Sequence, residues 1–450
     1  MQYAYQSIQI LLPWEPFRVS GNCYFDQKAG ALIIPFSYVG EREHCACGEE
    51  LHVHQKRKIR LHAPAIGLHS KVFWEVEYHV YRCPECDCYY TQYIPFRFGR
   101  TKCTTFLAKQ VCDDLDSNSR TIKDTAKQFH LCWDTVKSIH ALYLNEVFSK
   151  AAKPDEPSVC VVDEFSIEKR HTYATLVINA ATKEVLYLHT GNAMKDFRPF
   201  FHEYNSSWYN NIVAFAMDQN AQYNKVVTEE MPEAVIVADY FHMLKNFTEQ
   251  VIDKVRLRSA KVYLHSGDRS AYARIKSAKR LLSKRLKDVE EVETEEEWNA
   301  QFMLQSMMDD NQELDVCIHM REALQDMYEN CRDVAEMEKR WDEWIAMARA
   351  SGITELSKFA DNKDKRRTEI LNHAKMPITS GIIEGCMNKI KVIKRTGFGF
   401  RDWNYFFNRI RYAFLPYEKK MKAREVLWKS YEADSYLDFL ASDIDQQKVG

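Results

Sequence analysis

The sequence predicts a multidomain protein of the α/β plus α class, and three observations support this prediction. The chain has 450 residues, enough for about three domains of ordinary size. It is 46% hydrophobic and 13% aromatic, a composition typical of folded globular proteins, and its 14 glycines and 12 prolines are few enough to favour helices. Apolar residues alternate in some segments and follow helical spacing in others, so we expect both sheets and helix-rich parts.

Composition also excludes some classes of protein. No apolar run approaches the ~20 residues that a membrane span needs, and the N-terminus lacks the charged region and cleavage site of a signal peptide. We therefore expect a cytoplasmic protein with no membrane partner. Nine of the 13 cysteines precede residue 133. Without an export signal, this many cysteines favours reduced thiols or metal ligands over disulfides.

Two cysteine pairs about forty residues apart predict a zinc ribbon within residues 1–100. Short strands are predicted over residues 8–14 and 31–39, and an alternating strand over 72–80. Zn²⁺ needs four tetrahedral ligands, which two tight turns can supply in pairs. The predicted ligands are Cys45, Cys47, Cys83 and Cys86. The first pair has an unusually short spacer, so His44 is an alternative to Cys45, and Cys88 is a spare candidate beside the second pair. Buried free cysteines are the alternative to a zinc site.

Residues 101–150 have a helical pattern, and residues 119–144 have the layout of a helix-turn-helix. Its second helix would begin at Trp133, which would place Trp133, Thr135 and Lys137 near DNA. An ordinary helical hairpin explains the same pattern equally well.

From residue 155 to 247 the chain alternates between apolar strands and helices. The predicted order is strand, strand, strand, helix, strand, helix, strand, which is expected of an RNase H-like α/β domain. Residues 248–374 then follow an almost wholly helical pattern, and residues 375–415 predict a helix, a glycine-rich break and a second helix.

Three carboxylates stand out in this region. Asp163 and Asp218 each follow an apolar strand, and active sites of open α/β sheets lie at such strand ends. Glu384 follows Ser380, a possible helix cap, and shares a helix face with polar and cationic residues. Turn or cap roles for the aspartates and a surface ion pair for the glutamate are the alternatives. Two aspartates and a glutamate are oxygen ligands that suit Mg²⁺ or Mn²⁺.

A fourth feature, Asp239 followed by His242, comes directly after another apolar strand. His242 could be a packed core residue, or the pair could support the carboxylates by hydrogen bonding and orient one of them. Asp239 is also an alternative to Asp218 as the second catalytic carboxylate.

These segments resemble the DDE transposases of the ISL-three group of bacterial insertion sequences, over roughly residues 40–415. The matches are the paired cysteines, the helix-turn-helix, VVDEFSIEKRHTYATLV with Asp163, AFAMDQNAQY with Asp218, ADYFHMLKN with Asp239 and His242, and SGIIEGCMNKIKVIKRTGFGFRDW with Glu384. The resemblance implies an RNase H-like catalytic domain formed by residues 155–247 and 375–415, an all-α insertion at 248–374 and a helical tail at 416–450.

The resemblance further implies an enzyme that cuts and joins DNA, with Asp163, Asp218 and Glu384 holding Mg²⁺ and the N-terminal modules reading terminal inverted repeats. Phosphate contacts in the catalytic domain would come from four cations: Lys389, Lys391, Lys394 and Arg395. We expect double-stranded DNA as the partner and a homodimer on that DNA. A DNA-binding descendant without catalysis and an RNase H-like structure-specific nuclease are the alternative functions.

The net charge of −2 does not contradict a DNA partner, because the charge is unevenly distributed. Residues 251–287 hold 12 Lys and Arg against 2 acids, and residues 389–424 hold 11 against 2. Residues 288–297 hold 7 acids and no base. DNA affinity depends on the charges that touch phosphates and not on the total.

Overall fold

The computed structural model describes residues 16–40, 43–116, 120–168, 172–282, 295–378, 380–397 and 400–431. The predicted strand at 8–14 and the acidic residues 288–294 lie outside these ranges. Contacts divide the chain into two units, Met1–Lys153 with Ile390–Gly450 and Pro154–Lys389. The division falls inside one helix, Ser380–Thr396, whereas the sequence prediction kept residues 375–415 together in one domain.

The secondary structure combines strands and helices, as predicted. The strands are β1 (Phe17–Val19), β2 (Tyr24–Asp26), β3 (Ala31–Tyr38), β4 (His52–Ala63), β5 (Val72–Arg82), β6 (Tyr89–Thr91), β7 (Val159–Glu168), β8 (Thr172–Asn179), β9 (Val185–Thr190), β10 (Ala214–Met217) and β11 (Val235–Ala238). The α-helices are α1 (Thr105–Asp116), α2 (Ile122–Gln128), α3 (Trp133–Lys150), α4 (Met194–Phe197), α5 (Ala221–Glu230), α6 (Tyr240–Phe247), α7 (Asp253–His265), α8 (Arg269–Ser277), α9 (Lys279–Leu282), α10 (Glu295–Asp309), α11 (Gln312–Asn330), α12 (Val334–Ala350), α13 (Thr354–Asp364), α14 (Arg367–Lys375), α15 (Ser380–Thr396), α16 (Trp403–Phe414) and α17 (Tyr417–Lys429).

The first unit begins with a six-stranded sheet in the order β1-β3-β5-β4, with β2 paired to β3 and β6 paired to β5. The long strands β4 and β5 are antiparallel, and β3 runs parallel to β5. Alternate residues of β5, including Val72, Trp74 and Val76, are buried, which confirms the alternating strand predicted at 72–80. This sheet holds the two cysteine turns at the ends of its strands.

Helices α2 and α3 form the predicted helical pair. Thr121 caps α2 by accepting a hydrogen bond from the Asp124 N–H, and His130 in the turn adopts a φ of 53°. The second helix begins at Trp133, as predicted, and buries Val136 and Ile139.

Helices α16 and α17 pack on α1 and α3 in the same unit. The Tyr143 hydroxyl of α3 lies 2.7 Å from the Tyr412 hydroxyl of α16, and both hydroxyls bond to Asp116. Arg424 of α17 pairs with Asp116 at 2.8 Å. The chain after Phe400 therefore completes the core around the helix-turn-helix.

The second unit contains a five-stranded sheet in the order β11-β10-β7-β8-β9. Strands β7, β10 and β11 are parallel, whereas β8 and β9 continue the sheet antiparallel from β7. The turn between β8 and β9 has Lys183 at a φ of 62°, and the Asn179 side chain accepts a hydrogen bond from the Ala181 N–H. This arrangement brings the carboxyl ends of the three parallel strands to one edge.

Helices α7 to α14 surround an apolar core that includes Trp341, Trp344 and Phe359. The last of them, α14, lies against β11, where the Asn372 amide donates to the Ile236 carbonyl at 2.9 Å. Several cations of the basic segment 251–287 are paired within this part of the molecule, as Arg258 with Glu355 at 3.0 Å and Lys279 with Asp253 at 2.7 Å. No helix in the described ranges is long and apolar enough to cross a membrane.

Candidate functional site

Three aspartates lie in one row at the edge of the second sheet. In the strand register, Val162 of β7 pairs with Met217 of β10, and Met217 pairs with Ala238 of β11. The next residue in each case is an aspartate: Asp163, Asp218 and Asp239. Asp218 and Asp239 directly follow their strands, as predicted. Strand β7, in contrast, continues to Glu168 and pairs Asp163 with Leu176 of β8, so Asp163 lies within its strand and not at the strand end that the sequence predicted. The parallel register thus brings together carboxylates that are far apart in the sequence.

Asp163 is more buried than Asp218, the other predicted catalytic aspartate, with 9% of its side chain exposed. Burial raises the pKa of its carboxyl to about 6, against the opposing effects of His242 and the Glu164 N–H. The negative charges of Asp239 and Asp218 raise it further. Concentrated negative charge of this kind is stabilised by a cation, and the oxygen ligands fit Mg²⁺ or Mn²⁺.

Asp239 is already engaged within the protein. Its Oδ1 accepts from the Phe241 N–H at 2.8 Å and caps α6, and its Oδ2 lies 2.7 Å from His242 Nδ1. Burial opposes protonation of His242, but Asp239, Asp163 and Asp218 outweigh it and raise the His242 pKa to about 9. The second ring nitrogen, Nε2, lies 3.9 Å from Asp163 Oδ1, so His242 bridges the two aspartates.

Asp218 is exposed, and the residues beside it include a buried lysine that the sequence did not single out. Asp218 Oδ1 accepts from the Gln219 N–H at 2.7 Å, and the Gln219 amide oxygen accepts from Lys363 Nζ at 2.8 Å. Lys363, in α13, is only 6% exposed. Burial lowers the pKa of Lys363, and the charge of Asp218 opposes that effect. A lysine in the polar sequence Asp-Asn-Lys-Asp gives no local sign of such burial.

Glu384 lies on the exposed face of α15. Asn388, Lys391 and Arg395 share this exposed face, while Cys386, Ile390 and Ile393 are buried, as the helical spacing predicted. Within the second unit, the charge of Lys183 acts on Cys386 and Lys389, so this part of α15 lies near the β8–β9 turn. In the described part of the chain, Asp163, Asp218 and Glu384 do not form a group as tight as the cysteine cluster.

The four predicted zinc ligands form that cluster. The Sγ atoms of Cys45, Cys47, Cys83 and Cys86 all lie within 4.8 Å of one another. The closest Sγ–Sγ distances run from 3.2 Å for Cys83–Cys86 to 3.5 Å for Cys47–Cys83, near the ~3.8 Å edge of a tetrahedron with Zn–S bonds of about 2.3 Å. His44, the alternative to Cys45, is exposed and is not a member of this group.

The turns around the cysteines are built for this arrangement. Gly48, at a φ of 94°, donates its N–H to the Cys45 carbonyl at 2.8 Å, and the Cys83 carbonyl accepts from the Asp87 N–H at 3.1 Å. The Cys47 N–H and the Tyr90 hydroxyl lower the pKa of the Cys45 thiol, whereas the neighbouring thiols Cys83, Cys45 and Cys47 raise the pKa of Cys86. Within the cluster, the thiolate form is therefore favoured at Cys45. The cluster is consistent with a zinc ribbon.

The predicted DNA-contacting residues of α3 differ in exposure. Trp133 is 48% exposed, whereas Thr135 is partly buried and its hydroxyl lies 2.9 Å from Cys132 Sγ. Lys137 is paired with Asp402 at 2.9 Å and lies over the rings of Trp133 and Tyr405. On α15, Lys389, Lys391 and Arg395 are exposed and Lys394 is partly buried.

Comparisons with known proteins identify the family. A model of the DDE transposases of the ISL3 group, described as "Transposase", matches residues 160–410, more than half of the chain. The chain belongs to the ISL3 transposase family. It is also similar to the transposase for insertion sequence element IS1001 of Bordetella parapertussis, with 31% identity over 318 residues that cover 70% of this chain and 75% of that protein.

This transposase has its candidate carboxylates inside the family match. Asp163, Asp218, Asp239 and Glu384 all lie between residues 160 and 410, whereas the cysteine cluster and helices α2 and α3 precede it. The family assignment that the sequence resemblance predicted is thereby confirmed. It makes the protein a DNA-processing enzyme of an insertion sequence.

Proposed function

We propose that this transposase binds the terminal inverted repeats of its insertion sequence and catalyses metal-dependent DNA cleavage and strand transfer. The observation that supports this most strongly is the pair of aspartates at matching positions of the parallel strands, Asp163 within β7 and Asp218 directly after β10, in a chain segment that matches transposases. Asp163, Asp218 and Glu384 are the proposed catalytic carboxylates, and Asp239 and His242 hold Asp163 and its surroundings in place.

The proposed catalytic domain is RNase H-like. Its sheet order β9-β8-β7-β10-β11, with three antiparallel strands followed by two parallel ones, is the order typical of that fold and supports the proposal. In this proposal, helices α7 to α14 are an insertion between β11 and α15, and α15 carries Glu384 to the sheet edge.

Mg²⁺ or Mn²⁺ is the proposed catalytic cofactor. Bound ions would supply Lewis-acid activation of the attacking water or 3′-hydroxyl and stabilisation of the leaving oxygen, the chemistry of two-metal phosphodiester transfer. The residues of this chain position the carboxylates. The strand register aligns Asp163 with Asp218, and Asp239 fixes the orientation of His242 through its 2.7 Å hydrogen bond. His242, with a pKa raised to about 9, offsets part of the negative charge of the aspartates.

The first unit is the proposed DNA-recognition part. Zn²⁺ held by the four cysteines would fix the ribbon, and α3 would place Trp133 and Thr135 at base edges, with Lys137 beside them. The cations of α15, Lys389, Lys391, Lys394 and Arg395, would contact phosphates. Transposition joins two element ends, so we propose a homodimer on DNA, to be checked by mass photometry of the protein with end DNA.

An end-cleavage assay tests the proposed function. A labelled duplex made from the inverted repeats that flank the gene is incubated with protein and Mg²⁺, and nicked products are resolved on a denaturing gel. We expect cleavage by the wild type and none by Asp163→Asn, while Glu164→Gln stays active because Glu164 is exposed and lies on the other face of β7. Full cleavage by Asp163→Asn would refute the assignment.

A further inference from the structure

A cleft in the first unit lies between the helix-turn-helix and α16. Its volume is about 910 Å³. It is lined from three directions: by α2 with Lys123 and Lys127, by the start of α3 with Trp133 and Lys137, and by α16 with Arg409 together with Arg401, which precedes that helix. The proposed DNA-contacting helix therefore forms one wall of the cleft.

Arg409 is the unusual residue in this cleft. It is 4% exposed, and its Nη2 is buried without a hydrogen-bond partner among the described residues. Burial lowers the pKa of its guanidinium, against the opposing charges of Tyr405 and Asp116. Asp116 is itself occupied by Arg424 at 2.8 Å and by the hydroxyls of Tyr143 and Tyr412. A buried guanidinium without an ion pair is costly, so its retention beside a cleft points to an anionic ligand.

The remaining charges of the cleft favour the same ligand. Lys123, Lys127 and Arg401 are exposed at its edges. The two acids of the lining have partners of their own: Asp402 pairs with Lys137 at 2.9 Å, and Asp124 accepts from the Thr121 hydroxyl at 2.6 Å. The cleft therefore presents an excess of positive charge next to Trp133.

We propose that this cleft binds a backbone phosphate of duplex DNA, with Arg409 as the buried ligand and Lys123, Lys127 and Arg401 at the rim. Arginine binds phosphate through paired N–H groups, which suits a single enclosed site. Such a contact fixes the register of the helix-turn-helix on the duplex and carries no sequence information itself. The site rests on the proposed function in so far as the first unit must bind DNA.

The test measures the salt dependence of DNA binding without metal, so that catalysis plays no part. Fluorescence anisotropy gives the affinity of the full chain for an inverted-repeat duplex and for a scrambled duplex of equal length, over a range of salt concentrations. Each lost phosphate contact lowers the slope of log affinity against log salt by about 0.9. We expect Arg409→Met to lower the slope by about that amount and to weaken both duplexes roughly tenfold, whereas Arg409→Lys keeps the slope.

Lys109→Met is the matched control, because Lys109 is exposed on α1 and does not line the cleft. It should leave both slope and affinity unchanged. If Arg409→Met does not fold by circular dichroism, the exposed double variant Lys127→Met with Arg401→Met replaces it, with an expected slope reduction of about 1.8. Unchanged slope and affinity in a folded variant would overturn the phosphate site alone. No binding of either duplex by the wild type would overturn the proposed function together with it.

Discussion

At the residue scale, the three aspartates of the sheet edge are distinguished by what surrounds each carboxylate. Asp163 is enclosed and close to His242, Asp239 is buried as a helix cap, and Asp218 is exposed beside Gln219. Because Asp239 uses both of its oxygens in hydrogen bonds within the protein, it fits a supporting role better than that of second catalytic carboxylate. Asp218 keeps an exposed carboxylate and fits the catalytic role.

The raised pKa of Asp163 has a consequence for stability. The folded state holds the Asp163 proton more tightly than the unfolded state, so stability falls as pH rises from about 4 to about 6. Above that range the buried carboxylate is destabilising, and Asp163→Asn should stabilise the metal-free protein at pH 8 by on the order of 2 kcal/mol. His242 stays paired with Asp239 in this variant.

Thermal unfolding in EDTA at pH 8 and pH 5 measures this effect. The gain of Asp163→Asn should shrink towards pH 5, where the wild-type carboxyl takes up its proton. Glu164→Gln is the control, since Glu164 is exposed and should change stability little at either pH. A lower unfolding temperature for Asp163→Asn at pH 8 would show that the carboxylate is stabilised by its surroundings.

Some residues of the site could not be predicted from the sequence. Asp163, Asp218 and Asp239 each follow an apolar run that is visible in the chain itself, although β7 continues past Asp163 to Glu168. Lys363 is buried beside Gln219, which is 144 residues away in the sequence, and Arg409 of α16 is buried near Asp116 of α1. Neither cation has a distinctive local pattern. Burial of a cation depends on tertiary packing, which periodicity does not report.

At the element scale, the cysteine turns offer a matched pair of residues for a zinc test. Cys86 and Cys88 are both exposed and only two residues apart, but Cys86 alone belongs to the cluster. Wild-type protein should contain one zinc per chain, Cys86→Ser should lose most of it, and Cys88→Ser should keep it. Inductively coupled plasma mass spectrometry after dialysis gives the zinc content. Equal loss of zinc from Cys86→Ser and Cys88→Ser would contradict the assignment of Cys86, and not Cys88, as the fourth ligand.

Helices α16 and α17 form an element of the first unit that the sequence prediction treated as part of other domains. The pair Arg424–Asp116, at 2.8 Å, joins α17 to α1 and is mostly enclosed, with 19% and 13% of the two side chains exposed. Breaking a buried pair leaves a charge without its partner. We expect Arg424→Met to lower the free energy of unfolding by about 2–4 kcal/mol.

Lys429→Met is the control for that substitution, because its pair with Glu425 is 65% and 61% exposed and should contribute less than about 1 kcal/mol. Urea unfolding monitored by tryptophan fluorescence compares the two variants. Equal stability of Arg424→Met and the wild type would mean that α17 adds little to this unit.

At the scale of the whole molecule, most elements could be predicted but their grouping could not. The apolar runs of β7, β10 and β11, the start of α3 at Trp133 and the exposed face of α15 all follow from local pattern. The association of α16 with α3 depends on contacts such as Tyr143–Tyr412, 269 residues apart, for which the helical spacing of neither segment gives a sign.

The net charge of −2 combines cations that are paired with acids and cations that are exposed to solvent. Part of the basic segment 251–287 is neutralised by acids of the same unit, as in the pairs of Arg258 and Lys279. Among residues 389–424, Lys389, Lys391 and Arg395 of α15 are exposed, and Arg409 lies beside the cleft of the first unit. DNA affinity depends on the cations that can reach phosphates and not on the total charge.

We propose that Asp163, Asp218 and Glu384 together form the catalytic site of the transposase. A strand-transfer assay tests it most directly, with precleaved element ends, a supercoiled target plasmid and Mg²⁺, and with four variants compared: Asp163→Asn, Asp218→Asn, Asp239→Asn and Glu384→Gln. We expect the Asp163, Asp218 and Glu384 variants to lose strand transfer at least a thousandfold, on the order of the effect of removing one catalytic group. Asp239→Asn should lose less strand transfer. All four variants should still bind the element ends. Normal strand transfer by Asp218→Asn or Glu384→Gln would contradict this proposal.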